Sequence, residues 1–190
     1  MKLIIIRHGE TVENKENIVQ GHIHGTLSAE GKEQAKKLAK RLSFEKIDVI
    51  YSSDLGRALQ TAREIAVYHK NVLLIETKLL RERDHGSNTG KRRQGDLTKR
   101  SEDAETDESL RERAIKIFNE AYEKYPNGTV VFVTHGGLKM SLVGYLTGRT
   151  MHEVEKPKNS SVTVFEINGE GKHKLILWNC TKHLEQKTSQ

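Results

Sequence analysis

Two short apolar runs in this chain end in the same way. Leu3-Ile4-Ile5-Ile6 gives way at once to Arg7-His8-Gly9-Glu10-Thr11, and Val130-Val131-Phe132-Val133 gives way to Thr134-His135-Gly136-Gly137. Unalternating runs of β-branched, leucine and aromatic residues suit strands buried on both faces, as in a parallel sheet covered by helices. The carboxyl ends of such strands form the ligand-binding edge of the sheet. Each run therefore delivers a histidine to that edge.

The segments between the runs complete βα units. Ser28 is a cap for a helix with Ala35, Leu38, Ala39 and Leu42 at helical spacing. Asp48–Tyr51 is a second strand, after which Ser53 or Asp54 caps a helix through Ala58, Ala62 and Ile65; Val72–Ile75 is a third strand. Residues 87–108 hold almost no core-forming side chains, and they read as an exposed, mobile insertion over the sheet's carboxyl edge. Ser109 opens an amphipathic helix that stops at Pro126-Asn127-Gly128, and a further helix spans Leu138–Leu146. Ser161–Ile167 and Lys174–Trp178 flank Asn168-Gly169-Glu170-Gly171 as an antiparallel hairpin. The expectation is one domain over residues 1–190: a three-layer α/β/α sandwich with a mostly parallel central sheet and an antiparallel hairpin at its edge.

Charge and cysteine content narrow the setting. The net charge is +6, but aromatic residues are only 5% and the lysines are interleaved with glutamates, which argues against nucleic acid and for a small anionic substrate. The start Met1–Ile6 is too short and too soon followed by charge for a signal peptide or membrane span, and Cys180 has no partner thiol, which together point to a cytoplasmic protein with no membrane partner. The hairpin offers an edge for pairing with a second copy, although Lys172, Lys174 and Lys182 are the residues with which a monomer guards such an edge.

If strands one and four are neighbours, His8 and His135 converge with Arg7 and with Arg57 from the second helix. Guanidinium forks match phosphate, and nearby positive charge keeps an imidazole neutral and nucleophilic. This constellation suits phosphoryl transfer to His8, with the helix start at Gly136-Gly137 pointing amides at the same anion. Glu82, just beyond strand three, is the candidate proton donor, in competition with Asp84 and Glu10. Metal chemistry through His22/His24 or His8/His135 is the main rival; Arg7 would repel a divalent cation and no HxxxH or HExxH spacing occurs. His69, His152, His173 and His183 read as surface residues, and Cys180 reads as a small apolar residue near the last strand.

Taken together, Arg7–Thr11 with Asn14, Ser52–Ala62 and Thr134–Gly137 resemble the histidine phosphatase superfamily, in its phosphoglycerate-mutase-like branch. The similarity extends to Gln20-Gly21, Leu27–Gly31, Leu80-Arg81-Glu82, Asn159–Thr163 and Trp178–Leu184, nearly the whole chain. The resemblance implies His8 as the phosphorylated residue, Arg7, Arg57 and His135 as the phosphate pocket, Glu82 as proton donor, and Asn14 and Gln20 in the pocket lining. It implies no metal and no other cofactor.

Departures from the family pattern concern the substrate. His24 and Thr26 stand where relatives often carry Asp and Pro, while His85, Asn88 and Thr89 replace an aromatic residue, a Trp and a Glu; Cys180 and Lys182 replace an Asp and an Ala. The reading is a phosphomonoesterase for small phosphorylated metabolites. The alternatives are a 2,3-bisphosphoglycerate-dependent mutase, disfavoured by the shortness of the 87–108 segment although Lys91, Arg92 and Arg93 offer a grip for a carboxylate, and a non-catalytic phosphate-binding module.

Overall fold

The β-branched runs do form buried strands. In the computed structural model, which describes residues 1–93, 100–169, 171 and 173–185, β1 (Lys2–Arg7) buries Leu3 and Ile5 toward one face and Ile4 and Ile6 toward the other. With β2 (Val49–Ser53), β3 (Leu73–Thr77), β4 (Thr129–Thr134), β5 (Val162–Glu166) and β6 (Lys174–Cys180) it builds one sheet in the order β3-β2-β4-β1-β5-β6. The first four strands in that order run parallel; β5 is antiparallel to β1 and β6 to β5. Arg7 pairs with Thr134 in register, so the two histidines that follow them leave the sheet side by side.

Helices cover both faces. α2 (Ala29–Leu42) and α3 (Gly56–Ala66) turn Leu38, Leu42, Ala58, Ala62 and Ile65 onto Ile4, Ile6, Ile50 and Val133. On the other face α4 (Asp107–Lys124) and α5 (Gly136–Thr147) pack Leu110, Ile117, Phe118, Leu138 and Leu142 on Leu3, Ile5, Tyr51 and Phe132. The two layers of burial are what set the sheet's order, because strands with no polar face fit only between two helical layers. Short helices α1 (Val12–Lys15), boxed by Thr11 and Asn14, and α6 (Lys182–Glu185) lie outside this frame. No helix among the described residues is long and apolar enough to cross a membrane.

Several local expectations are corrected. Ser28 caps α2 as read, through Gly31 N–H at 3.0 Å. α3 is capped by neither Ser53 nor Asp54: it starts at Gly56, Ser53 Oγ accepts from Leu55 N–H, and the Asp54 carboxylate is taken by the Arg81 fork at 2.7 and 2.5 Å. α4 begins two residues before Ser109, because Thr106 accepts from Ser109 N–H and is the better-placed cap. The 87–108 insertion is held down where it is described. Arg92 bridges to Ile18, Asp103 accepts from Ser87 N–H, and the Glu105 carboxylate grips Arg113 at 2.6 and 2.8 Å. Polar pairs do there what apolar contacts do in the core. Residues 94–99 of that insertion, Glu170 of the hairpin turn and Lys172 lie outside the described residues. His183 is no surface residue: it is buried and bonds Arg41, and burial followed by Arg41 lowers it to about 4. His173 packs edge-on against Phe118.

Candidate active site

The carboxyl ends of β1, β2 and β4 and the start of α5 surround a cavity of about 550 Å³. Arg7, His8, Asn14, Gln20, Arg57, Glu82 and Gly136 all line it. His135 is brought to the same place but does not line the cavity; it is completely buried, with its ring centroid 5.1 Å from that of His8.

The hydrogen-bond partners assign both imidazoles, since a carbonyl only accepts and an arginine Nε only donates. His8 Nδ1 lies 2.7 Å from Gly9 O, so Nδ1 carries the proton and Nε2 keeps the lone pair. His135 Nδ1 accepts from Arg57 Nε at 3.1 Å, so its proton is on Nε2, directed at Ser53 Oγ 2.9 Å away. Burial first, then the charges of Arg57 and Arg7, holds His8 well below the usual histidine range; burial and Arg57 do the same to His135. His8 is therefore a neutral imidazole with a free nitrogen lone pair, the form that attacks phosphorus.

The arginines are fixed from behind. Arg57 is 1% exposed, and it donates to Ile23 O, to Gly21 O at 2.9 Å and to His135, so the loop 21–24 is wound around its guanidinium. Burial lowers its pKa to about 10, against the opposing pull of Glu82 and Glu13, and it stays charged at neutral pH. Arg7 Nη1 donates to Pro157 O at 2.6 Å, while its buried Nε has no partner among the described residues. An unsatisfied buried N–H is costly, and an anionic oxygen entering the cavity can accept from it. Asn159 and Ser160 both bond His8 O, and Asn159 reaches Asn14 Oδ1 as well, so the 159–160 segment ties down the main chain of His8 from behind the cavity.

Glu82 sits on the first turn of α5. Its carboxylate accepts from Gly137 N–H at 2.9 and 3.1 Å, from Leu138 N–H at 3.3 Å and from Arg83 N–H at 2.9 Å. A Cβ at Gly137 would come within 2.5 Å of Glu82 Oε1, so only glycine admits the carboxylate there. Of the amides at Gly136-Gly137 expected to point at the substrate anion, that of Gly137 is instead taken by the Glu82 carboxylate, together with that of Leu138. Burial raises the pKa of Glu82, but these backbone donors and Arg57 outweigh it and the net shift is downward. The main chain of this segment is clamped in turn: Arg113 donates to Leu79 O, Arg81 O and Glu82 O at 2.8–3.0 Å, and His22 Nε2 to Glu82 O at 2.9 Å. The competitors are placed elsewhere. Glu10 accepts from Ser28 Oγ and pairs with Lys15, and Asp84 accepts from Gly86 N–H.

Some cavity residues carried no signal in the sequence. Lys156, Met140, Met151 and Arg83 line it from segments whose spacing marks nothing. His152, read as surface, also lines it and bonds Asp107 at 2.8 Å. Outside the cavity, Gly31 has a packing reason: a Cβ there would overlap the Glu10 carbonyl. His22 and His24 are engaged separately, with Glu82 O and with Gly56 N–H, and among the described residues no three His, Cys, Asp or Glu side chains group as a metal site.

Comparison with known proteins identifies the family. Residues 3–181 match the model of the histidine phosphatase superfamily (branch 1), and the chain belongs to that family. It is 34% identical over 203 residues to phosphoglycerate mutase-like protein 4 of Arabidopsis thaliana, covering 97% of this chain and 87% of that one. It is 37% identical over 150 residues to phosphoserine phosphatase 1 of Hydrogenobacter thermophilus, covering 71% of each. A crystal structure of a variant phosphoserine phosphatase from Entamoeba histolytica in complex with phosphoserine superposes with a TM-score of 0.84 at 26% identity, over 96% of this chain and 98% of that one. Phosphatase activity follows from membership of this family and from the phosphatases among its relatives.

Proposed function

We propose that the chain hydrolyses monoesters of small phosphorylated metabolites through a phosphohistidine on His8. The observation that carries this reading is the tautomer of His8, with Nδ1–H spent on Gly9 O and the Nε2 lone pair beside two guanidinium groups. In the first step Nε2 forms a bond to phosphorus as the ester P–O bond breaks, Arg7 and Arg57 stabilise charge on the non-bridging oxygens, and Glu82 supplies the proton to the leaving oxygen. In the second step water attacks the phosphohistidine, its proton passes to the Glu82 carboxylate, and phosphate leaves His8 neutral again. Asn14 and Gln20 line the substrate phosphate's surroundings, and His135 acts through its bond to Arg57.

The substrate class we favour is a phosphorylated carboxylic acid. Arg93 and Lys156 line the cavity, and neither makes an ion pair with a carboxylate among the described residues. Burial first, and then Arg93 and Arg7, lowers Lys156, which places these cations in one electrostatic neighbourhood. The relative bound to phosphoserine carries such a carboxylate on its ligand. For association, β6 is the edge along which two copies would continue the sheet, with Leu175 and Ile176 exposed beside it; a monomeric mass by light scattering at micromolar concentration would overturn that pairing. The single cysteine keeps the cytoplasm as the proposed location.

The decisive experiment is intact-mass analysis of protein quenched during turnover of an aryl phosphate. A transient, acid-labile gain of one phosphoryl group with continuing phosphate release is expected, and His8→Ala abolishes both. An adduct discharged mainly by phosphoglycerate identifies a mutase instead, and neither adduct nor release identifies a binding module. The pH profile of kcat/KM follows from the shifts above. His8 must be neutral to attack, and its pKa lies well below 6.5, so no acidic limb falls near neutrality. Glu82 is ionised in the free enzyme, so the proton must arrive with a monoanionic ester: kcat/KM should fall about ten-fold per pH unit above the ester's second pKa of about 6. A profile that rises through pH 6.5 would show that His8 titrates as an ordinary histidine. Finally, removing Arg93 and Lys156 together is expected to raise KM for phosphoserine about five- to ten-fold while leaving KM for an aryl phosphate unchanged; equal effects on both substrates would remove the carboxylate assignment.

A further inference from the structure

Ser53 is the last residue of β2 and is completely buried, yet the reaction scheme leaves it without a task. Its Oγ lies 2.9 Å from His135 Nε2 and also accepts from Leu55 N–H at 3.2 Å. A hydroxyl oxygen has two lone pairs, and both are directed at donors here. On the far side of the ring, His135 Nδ1 is 3.1 Å from Arg57 Nε, a group that can only donate.

We infer that Ser53 is a positioning residue: its oxygen accepts the Nε2–H that His135 carries because Arg57 Nε can only donate, and this bond holds the ring at the angle at which Nδ1 directs the Arg57 guanidinium. The opposite tautomer would set Nδ1–H against Arg57 Nε–H, donor facing donor, inside a site with no water-accessible alternative for either group. Arg57 would have to turn, and the loop 21–24 is bonded to that same guanidinium through Gly21 O and Ile23 O. One buried hydroxyl at the end of β2 thereby sets the shape of the anion pocket and of the loop that borders it. A residue that only filled space would have no such reach. The inference rests on reading Arg57 as a phosphate ligand.

The test uses histidine-labelled protein, with the tautomer and the Nε2–H resonance of His135 read from proton–nitrogen correlations and with inorganic phosphate as the probe ligand. The wild type is expected to show the Nε2–H form. Ser53→Ala keeps the proton on Nε2, where Arg57 holds it, but is expected to shift the Nε2–H resonance upfield, the signature of a lost acceptor, and to weaken inhibition by inorganic phosphate about ten-fold, as loss of one buried hydrogen bond implies. Ser53→Thr, which keeps the oxygen, restores both. Ser53→Cys, close in volume and a poor acceptor, serves if the alanine variant does not fold, and is expected to behave as the alanine variant. An alanine or cysteine variant that keeps the wild-type Nε2–H resonance and wild-type phosphate inhibition overturns the inference. So does a threonine variant that shows that resonance but not the inhibition. The Nε2–H resonance is read without substrate, so a wild type that shows it and binds no phosphate refutes the phosphatase reading while the resonance of the alanine variant still decides this one.

Discussion

A guanidinium group buried to 1% exposure is the constraint to which the site answers. Removing such a charge from water is costly unless its donors find acceptors, and the acceptors here are three loop carbonyls, of Gly21, Ile23 and His24, and one imidazole nitrogen. Meeting that demand pulls together β4, through His135; α3, on which Arg57 rides; and the 20–25 loop, which has no regular structure of its own. The neutral state of His8 follows as well, because after burial the charge of Arg57 is the largest influence on it. The placement of His135 and of the border loop, and part of the shift of His8, thus follow from one desolvated cation.

Glu82 answers to a different constraint. A carboxylate beside two arginines needs little help to stay ionised, but it must also stay at a fixed distance from them. The peptide groups at the head of α5 fix it from one side, and Arg113 holds its main chain from the other. Arg113 is itself held by Glu105, so the polar insertion holds Glu82 in position as well as lending Arg93, Arg100 and Asp107 to the cavity wall.

Much of this was legible in the residues. The strands showed themselves because a run with no polar alternation has only one stable environment, and the histidines at their ends showed themselves because strand polarity gives both the same exit. His8, Arg7, Arg57 and Glu82 were placed at the cavity from that argument, as was His135, although it proved to stand behind Arg57 instead of in the lining. Helix starts were less legible. Ser53, Asp54 and Ser109 are all good caps, and which polar side chain is free to cap depends on what else it meets: His135 and Leu55 for Ser53, Arg81 for Asp54. The order within the 87–108 segment was hidden for a similar reason, since it arises from pairs such as Glu105 with Arg113 that are formed across the fold and leave no periodic trace.

The seat of Glu82 on main-chain amides has an evolutionary consequence. Side-chain partners are lost by single substitutions, whereas peptide N–H groups persist through nearly all of them. The position of this carboxylate is therefore inherited with the path of the backbone, and side chains elsewhere around the cavity can change without moving it. At position 137 a Cβ would meet Glu82 Oε1 at 2.5 Å, so a glycine there keeps the seat open. A lineage built on this arrangement can exchange the side chains of its cavity wall while the seat of the carboxylate stays constant.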